Sequence, residues 1–139
     1  MSYKIIAKFI KDLEFKIPSA KTFFLLNKYI SNYKINIDIR SNQIKEKIVE
    51  VEIILSLNPT SKQEETIKTK IIFSTLVEFE KKIVVKEEIE KIILIQIPTS
   101  VYPIIRKIFV SLFENAGFKD IKIEKTVDFK KLYEIQKLQ

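Results

Sequence analysis

From Tyr33 to Arg40 the chain reads YKINIDIR, and apolar and polar residues alternate there without exception. A period of two fits an extended strand, because successive side chains point to opposite faces of a sheet. Tyr33, Ile35, Ile37 and Ile39 take one face; Lys34, Asn36, Asp38 and Arg40 take the other. Such a strand is half buried, with a core on one side and water on the other.

Three further segments repeat the pattern. In YKIIAKFIKDLEF, Ile5, Ala7, Phe9, Lys11, Leu13 and Phe15 share one side, with the lysine as the exception. IVEVEIILSLN aligns Val49, Val51, Ile53, Leu55 and Leu57, and IKTKIIFSTLVEFE aligns Ile71, Phe73, Val77 and Phe79. Pro18 stops the first strand, since it has no N–H to donate. The links SNQIKEK and NPTSKQEET are polar and short, which predicts antiparallel neighbours; parallel strands need crossovers of about a dozen residues.

Past residue 82 the period changes. KEEIEKIILIQ reads as a short helix running into Pro98. After it Val101, Ile104, Ile105, Ile108, Phe109, Leu112 and Phe113 recur at helical spacing. Ser100 or Thr99 can cap this second helix, and Pro103 is tolerated in a first turn, where N–H groups lack partners. Gly117, the single glycine of the chain, is placed to end it in a left-handed conformation. The stretch FKDIKIEKTV then connects to a final helix, capped by Asp128, in which Phe129, Leu132, Tyr133 and Gln136 share a face. No linker, repeat or low-complexity tract divides the chain. The expectation is one α+β domain over residues 1–139: four antiparallel strands, a long helix and a C-terminal helix.

The chain contains no histidine and no cysteine. The commonest general base, the best nucleophile and the soft metal ligands are therefore absent together. Its carboxylate pairs, Asp12 with Glu14, Glu50 with Glu52 and Glu87 with Glu88, sit among lysines on faces expected to be wet. One glycine cannot build a phosphate-cradling loop. Neither catalysis nor a cofactor nor a metal is expected. The net charge of +7 suggests a polyanion. Against nucleic acid, the bases are interleaved with acids, and only Arg40 and Arg106 could offer the bidentate fork that reads bases. No apolar run approaches the roughly 18 residues of a membrane span. The cytoplasm is the expected compartment.

What stands out is the quantity of apolar surface, more than one four-stranded sheet can cover. It can serve a homo-oligomer interface, or grooves that stay open to another chain; periodicity does not choose between them.

Three blocks, FIKDLEFKIPSA, then IPTSVYPIIRKIF followed by Gly-Phe, then VDFKKLY, occur in this order across essentially residues 3 to 138. The first joins an aromatic, a Lys-Asp pair, a Phe and Pro-x-Ala; the second joins a proline, a bulky residue, Pro and Arg. Together they resemble the SecB family of bacterial protein-export chaperones. The resemblance implies an ATP-independent holdase, a homotetramer built as a dimer of dimers. It would bind unfolded or precursor polypeptides in hydrophobic grooves and hand them to the motor SecA. It further implies that Ile35, Ile37 and Ile39 line the groove with Phe129, Leu132 and Tyr133. Ile105, Ile108, Phe109 and Leu112 would serve the tetramer interface or groove floor. The family's motor-docking surface corresponds to Asp12, Lys16, Lys68 and Lys70, but there the acidic character expected of it is kept only at Asp12. A basic SecA tail would be repelled by those lysines. A chaperone dedicated to one client, such as an antitoxin, is the alternative within the family. From another class, a basic sheet using Tyr33 and Lys34 to stack and neutralise nucleic acid is the rival.

Overall fold

The computed structural model of the chain describes residues 2–29, 33–59, 66–81, 86–119 and 121–137. Four strands, β1 (Tyr3–Lys16), β2 (Tyr33–Lys45), β3 (Ile48–Pro59) and β4 (Lys68–Phe79), form one antiparallel sheet in the order β1-β4-β3-β2. Helix α1 (Ala20–Tyr29) follows β1. Helix α2 (Lys86–Lys91), a π turn (Ile92–Gln96) and helix α3 (Ile97–Asn115) follow β4, and α4 (Phe129–Lys137) closes the described chain. The expected architecture stands, with α1 as an addition that strand and helix periodicity did not anticipate. The NPTSKQEET connection and the end of α4, including the Gln136 side chain, lie largely outside the described residues.

The predicted alternation places the core. Val49, Val51, Ile53, Leu55 and Leu57 of β3 are buried beside Ile71, Phe73, Val77 and Phe79 of β4. Helix α3 lies over these two strands. It presses the stripe Ile97, Val101, Ile105, Phe109 and Phe113 onto them, each residue 0% exposed. Complete burial of side chains this size is worth about 1.5–3 kcal/mol apiece. The continuous helix Lys86–Asn115 is, by length and composition, long and apolar enough to cross a bilayer; here its buried stripe is spent on the sheet.

β1 departs from simple alternation. Ile5 faces Val77 but Ala7 faces Leu76, and Ile10 faces Phe73 but Asp12 faces Ile72. Ile6 and Lys11 are thus extra residues of two bulges, and each bulge exchanges the two faces. Ile5, Leu13 and Phe15 lie on the helix-covered side with Val77, Ile71 and Thr69, whereas Ala7 and Phe9 lie on the outer side with Leu76 and Ser74. The single face expected for β1 is therefore corrected. The bulge at Lys11 turns the one polar exception outward, where its ammonium meets Glu50 and Glu52.

The link after β2 is shorter than expected. A third bulge at Ile44 extends β2 to Lys45, leaving Glu46 and Lys47 as the turn, closed by Gln43 Nε2 donating to the Glu46 carbonyl. After Pro18, Ser19 starts α1: its Oγ accepts from the Thr22 N–H at 3.1 Å.

Pro98 does not end a helix, contrary to expectation, and neither Thr99 nor Ser100 is a cap. The chain is helical from Lys86 to Asn115. Ile97 N–H reaches back five residues to the Ile92 carbonyl, the wider spacing of a π turn. That widening accommodates a proline that cannot donate to the preceding turn. Thr99 Oγ1 donates to the Ile95 carbonyl at 2.6 Å, satisfying an acceptor beside the irregularity.

Gly117 does end α3, as expected. Its φ is +103°, and a Cβ there would lie 3.1 Å from the Phe23 ring. Phe118 N–H bonds to the Phe113 carbonyl and Gly117 N–H to the Glu114 carbonyl, the paired closure of a Schellman motif. The Phe113 and Phe118 rings meet at 5.6 Å across it.

Candidate polypeptide-binding surface

The sequence-predicted groove residues divide into two sets. Ile35, Ile37 and Ile39 face Leu57, Leu55 and Ile53 across the β2–β3 ladder, so they share the helix-covered side of the sheet. They pack against the core yet remain half-buried, because β2 is an edge strand and α3 is centred over β3 and β4. An apolar margin is left along that edge.

On α4 the outcome differs residue by residue. Phe129 is 2% exposed and its ring meets Tyr102 of α3 at 6.0 Å, edge to face. Tyr133, one turn on, is also buried, and its hydroxyl lies 3.4 Å from a Glu90 carboxylate oxygen. Spacing of four puts these two on the face that α4 turns to the π turn. Leu132 is 45% exposed, and Ile135 is exposed with it. The expectation that Phe129 and Tyr133 line an open groove is corrected: in the protomer they anchor α4. Of the three groove residues expected on α4, Phe129, Leu132 and Tyr133, Leu132 is the one that faces outward.

The α3 set divides the same way. Ile105 and Phe109 belong to the core and cannot form an interface with a second copy, because the protomer's own sheet covers them. Ile108 and Leu112 are half-buried and, with the exposed Ile104, make a second apolar stripe at spacing four. Consecutive helix residues point about 100° apart, so one stripe can be spent on the sheet while its neighbour is not.

Sequence reading missed other exposed apolar residues. β1 presents Ile6, Phe9, Ile10 and Leu13, and α1 presents Leu25 and Phe24, the latter 63% exposed. Those on β1 became visible only with the bulges, which distribute apolar side chains to both faces. β1 is also a sheet edge fourteen residues long. An apolar edge with unpaired N–H and C=O groups is a template for another strand.

The outer face of the sheet carries most of its charged residues, and Lys4, Lys11 and Arg40 are ion-paired there. Glu50 is buried there, accepting from Ser74 Oγ at 2.7 Å and from Lys11 Nζ at 3.1 Å. The Ser74 hydrogen bond first, then Lys11, holds its carboxyl below the ordinary value against the cost of burial. Glu52 meets Lys11 and Asn42. Of the docking residues implied by resemblance, Asp12 lies opposite Ile72, whereas Lys16 and Lys68 stand directly opposite one another, with Lys70 opposite Glu14.

Across residues 1–139 the chain matches the family profile described as preprotein translocase subunit SecB. It is 40% identical to the putative protein-export protein SecB of Pelagibacter ubique, over 95% of this chain and 94% of that one. It is 26% identical to the protein-export protein SecB of Anaplasma phagocytophilum, over 96% and 91%. Among solved structures, the SecB-like chaperone of Mycobacterium tuberculosis, in complex with a peptide from the HigA1 antitoxin, has the same fold. The TM-score is 0.67, at 12% identity, over 90% of this chain and 88% of that one. The chain belongs to the SecB family, the protein-export chaperones.

Proposed function

We propose that this chain is an ATP-independent holdase that keeps unfolded or precursor polypeptides from aggregating in the cytoplasm. The observation that carries the reading is the apolar surface left over once the core is complete. It comprises the half-buried β2 margin of Ile35, Ile37 and Ile39, the second stripe of α3, and the apolar edge of β1. A client segment laid on such a surface gains about 25 cal/mol per Å² of apolar area, with little dependence on its sequence. Several weak contacts tethered to one assembly add through effective concentration. The work is binding, and no side chain is assigned a catalytic role.

The same surface supports a homotetramer. β1 would pair with the β1 of a second copy, and Ile104, Ile108 and Leu112 would be covered in the assembly. That arrangement leaves the β2 margin and Leu132 for clients. Suppression of light scattering by a denatured slow-folding protein tests the reading; no suppression at one tetramer per client rejects it.

The lysines at the outer face support a second reading within the family. Lys16, Lys68 and Lys70 disfavour a basic SecA tail, and the fold neighbour was captured with an antitoxin peptide. A chaperone dedicated to a specific client would need no motor contact. Binding of SecA to the purified tetramer separates the two: measurable complex supports export, and its absence supports the dedicated role.

A further inference from the structure

Cross-strand register shows where the charge pairing of the outer sheet face fails. Toward one end, Lys4 pairs with Glu78, Lys11 with Glu50 and Glu52, and Arg40 with Asp38. At the other end Lys16 lies opposite Lys68, and Lys34 lies opposite Asn58. The β3–β4 ladder ends at Ser56 opposite Lys70, and Asn58 and Lys68 are the next residues on the outer side of the two strands beyond it. The pairs Lys34–Asn58 and Lys68–Lys16 thus line the same end of the outer face, as a row contributed by all four strands. Lys70 adds a fourth ammonium in the next row, beside Glu14, the one carboxylate there. All four lysines are exposed, and among the described residues none is within ion-pair distance of a carboxylate. Like charges directly opposite on neighbouring strands destabilise a sheet. Carboxylates placed between them would relieve that repulsion.

We propose that this row is a docking site for a short acidic peptide segment, distinct from the apolar client surface and independent of the holdase reading. Charge complementarity selects the occupant, and the shape of the patch selects peptide over nucleic acid. The row next to Lys70 holds Asp12 and Asp38, opposite Ile72 and Ile54, so no basic track continues for a phosphate backbone. The cations are all lysines, point charges that suit flexible carboxylates as well as they suit phosphate, with no arginine fork for bases. Asn58, Ser56 and Asn36 between them offer neutral donors and acceptors to a peptide backbone.

The test is fluorescence anisotropy with a labelled hexaglutamate peptide on the intact protein at low salt. Its glutamine counterpart, oligothymidylate and an apolar client peptide serve as separate probes. The expected result is binding of hexaglutamate but not of the glutamine peptide, weakened about tenfold in the Lys16→Glu/Lys68→Glu variant and fading with salt. Affinity for the apolar client peptide should be unchanged in that variant, so failure of this site and failure of the holdase reading are read separately. Should the double variant not fold, Lys16→Gln/Lys68→Gln, which introduces no new charge, carries the same prediction at about threefold. Tighter binding of oligothymidylate than of hexaglutamate would overturn the proposal, as would equal hexaglutamate affinity in wild type and variants. Glu64 and Glu65 precede β4 in sequence, outside the described residues. If Glu64→Gln/Glu65→Gln tightens hexaglutamate binding by more than about threefold, the chain's own acidic segment is the occupant and the partner is rejected.

Discussion

Ser74 Oγ donates to Glu50 Oε2 at 2.7 Å on the outer face of the sheet, where the serine is 0% and the glutamate 7% exposed. With Lys11 on the same carboxylate, the ionised form is favoured in the folded protein, and its carboxyl lies below the ordinary value. A folded value below the unfolded one adds stability that is complete above the ordinary carboxylate range. That stability is lost as pH falls through the folded value. Glu50→Gln should cost about 1–3 kcal/mol at neutral pH, by leaving Ser74 and Lys11 poorly matched. It should also flatten the acid limb of stability. Urea midpoints measured from neutral to acidic pH check this: an unchanged acid slope in the variant would show that Glu50 is not coupled to folding.

Gly117→Ala should destabilise the fold by roughly 1–3 kcal/mol. The cost has two sources, a φ of +103° and a Cβ only 3.1 Å from the Phe23 ring. A denaturant midpoint indistinguishable from wild type would mean that the helix end rearranges freely.

Replacing Ile37 by Lys should remove holdase activity while leaving the circular dichroism spectrum intact, because the position is half-buried at an edge and a lysine stem can lie along apolar surface. Phe129→Ala should behave differently. Its ring is buried against Tyr102, so truncation should cost about 3–4 kcal/mol and loosen α4. Thermal melts and light scattering on both variants distinguish the roles. If Phe129→Ala melts like wild type yet fails to hold clients, Phe129 is a client contact after all.

How far the sequence carried the fold can be judged strand by strand. The alternation of β3, broken only at Ile54, put the correct side chains in the core, and the unbroken alternation of β2 put Ile35, Ile37 and Ile39 on the same side, since a strand face is decided by period. β1 looked the same on paper, but an extra residue at Ile6 and another at Lys11 each reverse the face, and an inserted residue leaves no compositional mark. Pro98 was a sound stop signal overridden by a π turn, which depends on backbone spacing rather than residue type. For the site, Ile105 and Ile108 are chemically identical and three residues apart. Only the docking of α3 decides that one is core and the other surface. The inward turn of Phe129 and Tyr133 likewise needs Tyr102 and the π turn in place, two features remote in sequence.

The assembly prediction rests on β1. The free edge of this strand has no partner in the described sheet, and Ile6, Phe9, Ile10 and Leu13 are exposed on the strand. A long apolar edge is an aggregation hazard unless it is covered, and pairing with the same edge of a second copy covers both at once. Ile10 and Leu13 lie opposite Phe73 and Ile71, on the helix-covered side, so that side chains from a paired copy would extend the core. Introducing charge there should break the pairing with little effect inside the protomer, because both positions are exposed in it. Ile10→Lys/Leu13→Lys should therefore shift the mass measured by light scattering after gel filtration to half or less of the wild-type value, with secondary structure retained. Holdase activity should fall with it, since effective concentration is lost when tethered sites separate. A variant that keeps the wild-type mass would place the interface elsewhere, with the α3 stripe of Ile104, Ile108 and Leu112 as the next surface to charge.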